Sequence, residues 1–172
     1  AAVAVNNARL YTLVRQEKQR LDALVDWSAD GIMILSPDHV ITRVNPALGR
    51  IIGVTPQALV GKAHEQVVVL RRHGDNMTLE QAEAGGWPLT PNSTLYVEGD
   101  LVRPEGLPLP VGITYAPLTS PEGNLVNIIA TVRDITRFRE AEELKSTFIS
   151  VISHELKTPV ALIKGYVGTL RR

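Results

Sequence analysis

The fold is decided by residues 31–46, which read GIMILSPDHVITRVNP. Two short apolar runs, Gly31–Leu35 and Val40–Val44, flank a Ser-Pro-Asp segment whose proline presets the backbone angle of a turn. This spacing predicts a β-hairpin. Asn45 follows the second run and can cap a short helix whose first residue is a proline, a position where a missing amide proton costs nothing. The sequence therefore predicts two paired strands that lead directly into helices.

The same alternation of strand and turn signals extends over residues 27–136. Thr78 and Gln81 have the spacing of a capping box, which predicts a helix over residues 79–84. Three later runs predict strands: Leu95, Val97 and Leu101; Val111, Ile113 and Tyr115; and Val126–Val132. Two strands, a cluster of helices and three strands in meander order predict an α+β domain, with helices packed over one face of an antiparallel sheet.

Amphipathic helices are predicted on both sides of this domain. Residues 1–26 carry apolar side chains along one helical stripe at Leu10, Val14, Leu21 and Leu24. Glu17 interrupts that stripe, so the helix is expected to need packing or a partner. Residues 137–172 carry a second stripe at Ala141, Leu144, Phe148 and Val151. This second stripe either packs back on its own domain or forms a dimer seam, and we favour the dimer seam.

Residues 27–136 resemble a PAS domain, a small sensory module. The resemblance rests on the order and spacing of short motifs: Asp30-Gly31-Ile32, Val44-Asn45-Pro46-Ala47, Gly53, Gly61 and Val132-Arg133-Asp134-Ile135-Thr136. It implies a five-stranded antiparallel sheet whose helical side encloses a small pocket. The first ten residues of the chain resemble the closing helix of a GAF domain, another small-molecule sensor.

Residues 148–160 read FISVISHELKTPV and are the most specific signal in the chain. They resemble the H-box of the histidine-kinase dimerisation and phosphotransfer domain (HisKA). Imidazole is a nucleophile near neutral pH because a large fraction of it is uncharged. One of its two ring nitrogens can attack while the other holds a proton. His154 lies beside the apolar stripe, so its ring is expected to be exposed. The resemblance implies that His154 is the phosphoacceptor; the alternative is a histidine without a role on a polar helix face.

The resemblance also assigns roles to two neighbours of His154. It implies that Glu155 is a general base for the non-attacking ring nitrogen. It implies that Thr158, which shares the helix face of His154, positions a water that hydrolyses the acyl phosphate of a partner protein. Pro159 cannot donate to the carbonyl of Glu155, which predicts a helix bend that would suit a switch.

The junction between the domain and the last helix is the Asp-Ile-Thr segment at residues 134–136. Asp134 can cap the first amides of the following helix. The resemblance implies that Asp134 and Thr136, together with Pro159, relay motion from the sheet to the helix. A plain helix cap is the alternative reading of Asp134.

Composition excludes several classes of function. Lys+Arg and Asp+Glu are equal at 18 each, so no nucleic-acid partner is expected. The apolar runs are far shorter than the ~20 residues of a membrane span, and the start lacks the features of a secretory signal. The chain contains no cysteine, which excludes disulfides and thiolate metal sites, and no metal site is predicted. A cytoplasmic location is expected, which includes the cytoplasmic part of a membrane-associated kinase.

These features predict the sensory and phosphoacceptor part of a two-component sensor histidine kinase. ATP is expected to bind a catalytic domain that these residues do not include, so the chain alone is expected to be inactive. The expected partners are a second copy of the chain, that catalytic domain, and a response regulator with an acceptor aspartate. The competing hypothesis is a non-catalytic PAS module that dimerises or binds a ligand.

The PAS pocket receives no cofactor assignment, and its ligand stays open. His64 and His73 are the histidines of this region that could bind haem iron, although surface positions are the preferred interpretation. The absence of cysteine excludes the flavin photochemistry of light-sensing PAS domains. Trp87 and Tyr96 are predicted either to line the pocket or to pack in the core.

Overall fold

The computed structural model describes residues 2–71, 79–87 and 94–169, with side chains for residues 6–71, 79, 81–87 and 94–155. The chain divides into two compact units, Ala1–Asp134 and Ile135–Arg172. The first unit contains, in chain order, α1 (Ala2–Asp26), β1 (Gly31–Leu35), β2 (Ile41–Val44), α2 (Pro46–Ile52), a 3₁₀ turn (Pro56–Ala58), α3 (His64–Val67), β3 (Leu70–Arg71), α4 (Leu79–Ala84), β4 (Leu95–Leu101), β5 (Leu109–Thr119) and β6 (Leu125–Asp134). The second unit is built on α5 (Thr136–Thr169).

The strands of the described residues form one antiparallel sheet in the order β2-β1-β6-β5-β4-β3. The last strand of the chain lies beside the first, with Met33 opposite Ala130. The α+β prediction is confirmed, but the expectation of five strands is wrong because β3 adds a sixth. This strand pairs Leu70 with Leu101 and is only two residues long, too short to produce an alternating pattern.

The core lies on the face of the sheet that packs against the helices. Leu95 and Val97 of β4 are buried and alternate with more exposed residues, because successive strand side chains point to opposite faces. Met33, Ile113 and Leu48 are fully buried in the same cluster, which joins β1, β5 and α2. Burying each large apolar side chain contributes about 1.5–3 kcal/mol.

Asn45 connects the helices to the sheet through hydrogen bonds, and its predicted capping role is confirmed. Its Oδ1 accepts hydrogen bonds from the Leu48 amide (3.0 Å) and the Ile32 amide (2.8 Å). Its Nδ2 donates to the carbonyls of Val25 and Asp30, each at 3.0 Å. Because Asn45 is completely buried, this one side chain satisfies four backbone groups at the point where α1, β1 and α2 meet.

Helix α4 confirms the predicted helix over residues 79–84 and is followed by Gly86 with a positive φ of 97°. Thr78 of the proposed capping box lies outside the described residues. None of the helices within residues 2–71, 79–87 and 94–169 has the length and apolar character needed to cross a membrane.

The apolar stripes of α1 and α5 face solvent in the single chain. Leu10 and Leu24 of α1 are 60% and 65% exposed, and Leu144 and Phe148 of α5 are 72% and 64% exposed. These exposed fractions contrast with the sheet, where side chains of the same type are almost completely covered. Both helices therefore carry apolar surface that the chain leaves uncovered.

Candidate functional site

The turn around His154 is the first candidate site. Both His154 and Glu155 lie in α5 and are exposed, which confirms the accessibility expected of His154. Adjacent helix residues point about 100° apart, whereas residues four apart share a face. By this geometry, position 158 lies on the face of His154, and Glu155 is rotated away from it.

The helix of this site is continuous from Thr136 to Thr169, through Pro159. The side chains of Thr158 and Pro159 lie outside the described residues. The water-positioning role of Thr158 and the bend at Pro159 therefore stay predictions.

The junction residues lie where β6 ends and α5 begins. Asp134 is the last residue of β6 and pairs with Val111, and Thr136 is the first residue of α5. The Ile135 carbonyl accepts from the Arg139 amide at 2.9 Å, so Ile135 stands at the N-cap position. The capping role of Asp134 and the relay roles of Asp134 and Thr136 stay predictions.

An ion pair at the end of β6 was not anticipated from the sequence. Arg133 Nη2 donates to Asp30 Oδ2 at 2.6 Å, and Arg133 Nε lies 3.1 Å from both carboxylate oxygens. The hydrogen bond and charge of Asp30 raise the pKa of Arg133. The pair joins the residue before β1 to the residue before Asp134, across a separation of 103 positions.

A cavity of about 420 Å³ in the first unit is the second candidate site. Its polar centre is His64 on α3 and Tyr115 on β5, whose Nε2 and hydroxyl oxygen are 2.9 Å apart. The two rings meet edge to face with centroids 5.4 Å apart, and Trp87 contacts Tyr115 edge to face at 6.4 Å. Both His64 and Tyr115 are buried.

Burial keeps this pair uncharged at neutral pH. Desolvation, with a smaller contribution from nearby His39, lowers the pKa of His64 to about 4. Desolvation also raises the pKa of the Tyr115 hydroxyl well above its ordinary value. His64 and Tyr115 therefore act as neutral hydrogen-bonding groups in the wall of the cavity.

The structure corrects two expectations about pocket residues. The preference for a surface position is wrong for His64, which is buried and already hydrogen-bonded at Nε2; His73 lies outside the described residues. Tyr96 does not line the cavity: it is 54% exposed, packs over Gly112 and donates to Glu98 at 2.7 Å. Trp87 packs in the core, as one of its two alternatives predicted.

Metal ligands do not converge within the part of the chain that the structure describes: there, no three His, Asp or Glu side chains form a group that could hold a metal ion.

Comparison with known proteins matches the segments that contain these two sites to two domain families. Residues 29–137 match the PAS domain, and residues 144–172 match the His Kinase A (phospho-acceptor) domain. The first match covers more than half of the sequence, and the chain belongs to the PAS domain family. More particularly, the chain combines the sensory and phosphoacceptor modules of two-component sensor histidine kinases, as the sequence resemblance implied.

Individual relatives agree with these matches. The chain is 30% identical over 169 residues to Drug sensory protein A of Synechocystis and 26% identical over 154 residues to Sensor protein kinase WalK of Staphylococcus aureus. Each alignment covers 90% of this chain, but the chain spans only 25% and 34% of these two relatives. The resemblance of the first ten residues to a GAF domain stays a prediction.

Solved structures share the fold. The PAS domain of an HTR-like protein from Haloarcula marismortui superposes with a TM-score of 0.58 and 23% identity, covering 74% of this chain and 99% of that one. A PAS domain from a two-component sensor histidine kinase gives a TM-score of 0.52 and 14% identity, covering 70% and 98%. These similarities establish the PAS fold of the first unit.

Proposed function

We propose that His154 is the phosphoacceptor of a sensor histidine kinase whose input is the PAS unit. The observation that carries this proposal is the exposed position of His154 on α5, within the residues that match the phosphoacceptor domain. One ring nitrogen forms a bond to the γ-phosphorus of ATP while the bond from phosphorus to ADP breaks. Glu155 accepts the proton of the other ring nitrogen, and Thr158 positions a water for later hydrolysis of the response-regulator phosphate.

The proposed organisation has three parts. Residues 1–26 form an input helix, residues 27–136 form the PAS domain, and residues 137–172 form the signalling helix with the phosphoacceptor segment. Asp134 and Thr136 relay motion out of the sheet, and Pro159 provides a bend point below His154. The fold supports this division because α1 ends at Asp26 and α5 begins at Thr136.

The proposed partners are a second copy of the chain, an ATP-binding catalytic domain and an aspartate-bearing response regulator. The exposed stripe of α5 supports the dimer, since Leu144 and Phe148 leave apolar surface that a second copy would cover. Use of ATP and of a response regulator implies that the chain acts on the cytoplasmic side, whether or not the whole protein is attached to a membrane.

The test is labelling of the 172-residue chain with radioactive ATP by a sensor-kinase catalytic domain supplied in trans. The expected product is an acid-labile, base-stable phosphate that is absent in His154→Gln and retained in the neighbouring control Ser153→Ala. Glu155→Gln should lower the labelling rate by about 10²-fold, the usual loss when a general base is removed. Labelling that persists in His154→Gln would reject the assignment of His154, and no labelling of the unmodified chain would favour the non-catalytic PAS module.

A further inference from the structure

The walls of the cavity in the first unit combine apolar side chains with polar and charged ones, among which His64 and Tyr115 form a buried hydrogen-bonded pair. Val68 and Leu70 follow α3, Leu79 begins α4, and Val97 projects from β4. These side chains belong to the hydrophobic cluster or pack against it. A ligand that fills this space would therefore bury apolar surface, which is favourable by about 25 cal/mol for each Å² removed from water.

The polar centre has hydrogen-bonding capacity beyond its internal bond. A neutral imidazole offers one donor and one acceptor, and a tyrosine hydroxyl offers one donor and two lone pairs. The contact between His64 Nε2 and Tyr115 OH uses one donor and one acceptor, whichever tautomer is present. One donor and at least one acceptor of the pair therefore remain for a bound molecule, a requirement that a hydroxyl group meets because it both donates and accepts.

The charges around the cavity disfavour an anion. Asp38 and Glu65 belong to its lining, and the lining residues described include no lysine or arginine. His39 also lines the cavity, but its Nε2 lies 2.6 Å from Glu83 Oε1, without hydrogen-bond geometry. An anionic ligand would have to be desolvated beside the carboxylates of Asp38 and Glu65, with no lysine or arginine among the described lining residues to compensate its charge.

We propose that this cavity binds a small uncharged molecule with an apolar body and one hydroxyl group, which hydrogen-bonds to the His64–Tyr115 pair. The apolar body contacts Val97 and Leu70, and the hydroxyl group exchanges hydrogen bonds with the pair. Binding itself is independent of phosphorylation, whereas its role as an input signal rests on the proposed function of His154.

The test is an NMR titration of the isotope-labelled 172-residue chain with three probes of similar shape: p-cresol, toluene and 4-methylbenzoate. The expected result is saturable shifts of the His64 ring signals and of the Val97 and Tyr115 amides with p-cresol. Toluene should bind about tenfold more weakly because it cannot use the polar centre, and 4-methylbenzoate should bind most weakly because it carries a negative charge.

Variants on the two faces of the sheet distinguish binding in the cavity from binding on the opposite face. Tyr115→Phe should lower the affinity for p-cresol about tenfold and leave that for toluene within about threefold. Tyr96→Phe, which removes a hydroxyl from the opposite face, should change neither affinity. Should Tyr115→Phe fail to fold, the ranking of the three probes on the unmodified chain still decides the result.

Three outcomes would overturn the proposal: no saturable binding of p-cresol, equal affinity for toluene and p-cresol, or shifts centred on the face of Tyr96. Binding is measured at His64 and phosphorylation at His154. A failure of ligand binding would therefore leave the phosphoacceptor assignment intact, and a failure of labelling would leave the ligand result intact.

Discussion

The cavity around His64 and the helical turn around His154 place the same side chain in opposite environments. His64 is 7% exposed, is hydrogen-bonded to Tyr115, and has its pKa lowered to about 4. Its ring is therefore neutral at pH 7 and buried away from solvent. His154 is exposed on a helix whose apolar stripe is also exposed. A histidine that must meet ATP has to be accessible, whereas a histidine that organises a ligand site is more useful when buried and uncharged.

The same contrast holds for the apolar residues of the two units. In the sheet unit, side chains such as Met33 and Ile113 are covered by their own chain and stabilise the fold. In α5, Leu144 and Phe148 are exposed, so they add little to the stability of the single chain. Substitutions in the two units are therefore expected to change different measured quantities.

The largest loss of stability is expected for Asn45→Ala in the sheet unit. It leaves two amides and two carbonyls without the partner that they have in the fold, and the free energy of unfolding should fall by about 3–4 kcal/mol. Denaturant unfolding measures this change. The control Asn124→Ala, in an exposed turn, should stay within about 0.5 kcal/mol of the unmodified chain. Equal losses for both variants would refute the role given to Asn45.

The next largest effect is the pH dependence that His64 gives to the sheet unit. The pKa of His64 is lowered on folding from 6.5 to about 4, so between these values the unfolded chain binds more protons than the folded chain. Its contribution to stability is therefore present above pH 6.5 and is lost as pH falls, by about 2 kcal/mol between pH 7 and pH 5.

Denaturant unfolding of His64→Gln and His154→Gln at these two pH values checks the assignment. His64→Gln should remove that part of the pH dependence, and His154→Gln should keep it because His64 is unchanged. An unaltered pH dependence in His64→Gln would show that the buried histidine is not its source.

A smaller effect is expected for Leu144→Ala, and in a different measurement. The variant should leave unfolding of the sheet unit unchanged but raise the dissociation constant of self-association about tenfold, because the apolar contact is lost only in the dimer. Sedimentation equilibrium measures this constant. Leu107→Ala, which removes an equally exposed leucine outside α5, should leave it unchanged. Similar changes for both leucines would argue against a seam on α5.

The smallest effect is expected for Arg133→Gln. Its ion pair with Asp30 is geometrically good but solvent-exposed, with 69% of the Arg133 side chain accessible. The loss of stability should be clearly smaller than that of Asn45→Ala, and it should shrink further at high salt because exposed charges are screened. Unfolding curves at low and high salt measure it, and a loss that is large or independent of salt would contradict this ranking.

The elements with a strong local pattern were predictable from the sequence. The hairpin, the Asn45 cap, the alternation of Leu95 and Val97, and the helix of His154 all follow from short-range spacing. The same alternation indicates that Tyr96 faces away from the core, because Tyr96 lies between Leu95 and Val97, whose side chains point into the core. The two-residue strand β3 has no such signal.

Contacts between distant residues were not predictable. His64 and Tyr115 are 51 positions apart, and Asp30 and Arg133 are 103 apart. The folded chain brings each pair together from distant positions, so neither the burial of His64 nor its lowered pKa can be read from neighbouring residues. The phosphoacceptor segment differs because its chemistry is local to one helix, and a continuous motif is enough to identify it.

The most direct measurement is fragmentation mass spectrometry, at neutral to basic pH, of the chain phosphorylated by a catalytic domain in trans. Exposure and the phosphoacceptor match predict phosphate on His154 and none on His64, whose buried ring is held by Tyr115. Phosphate on His64, or on any residue other than His154, would contradict the division of roles between the two histidines.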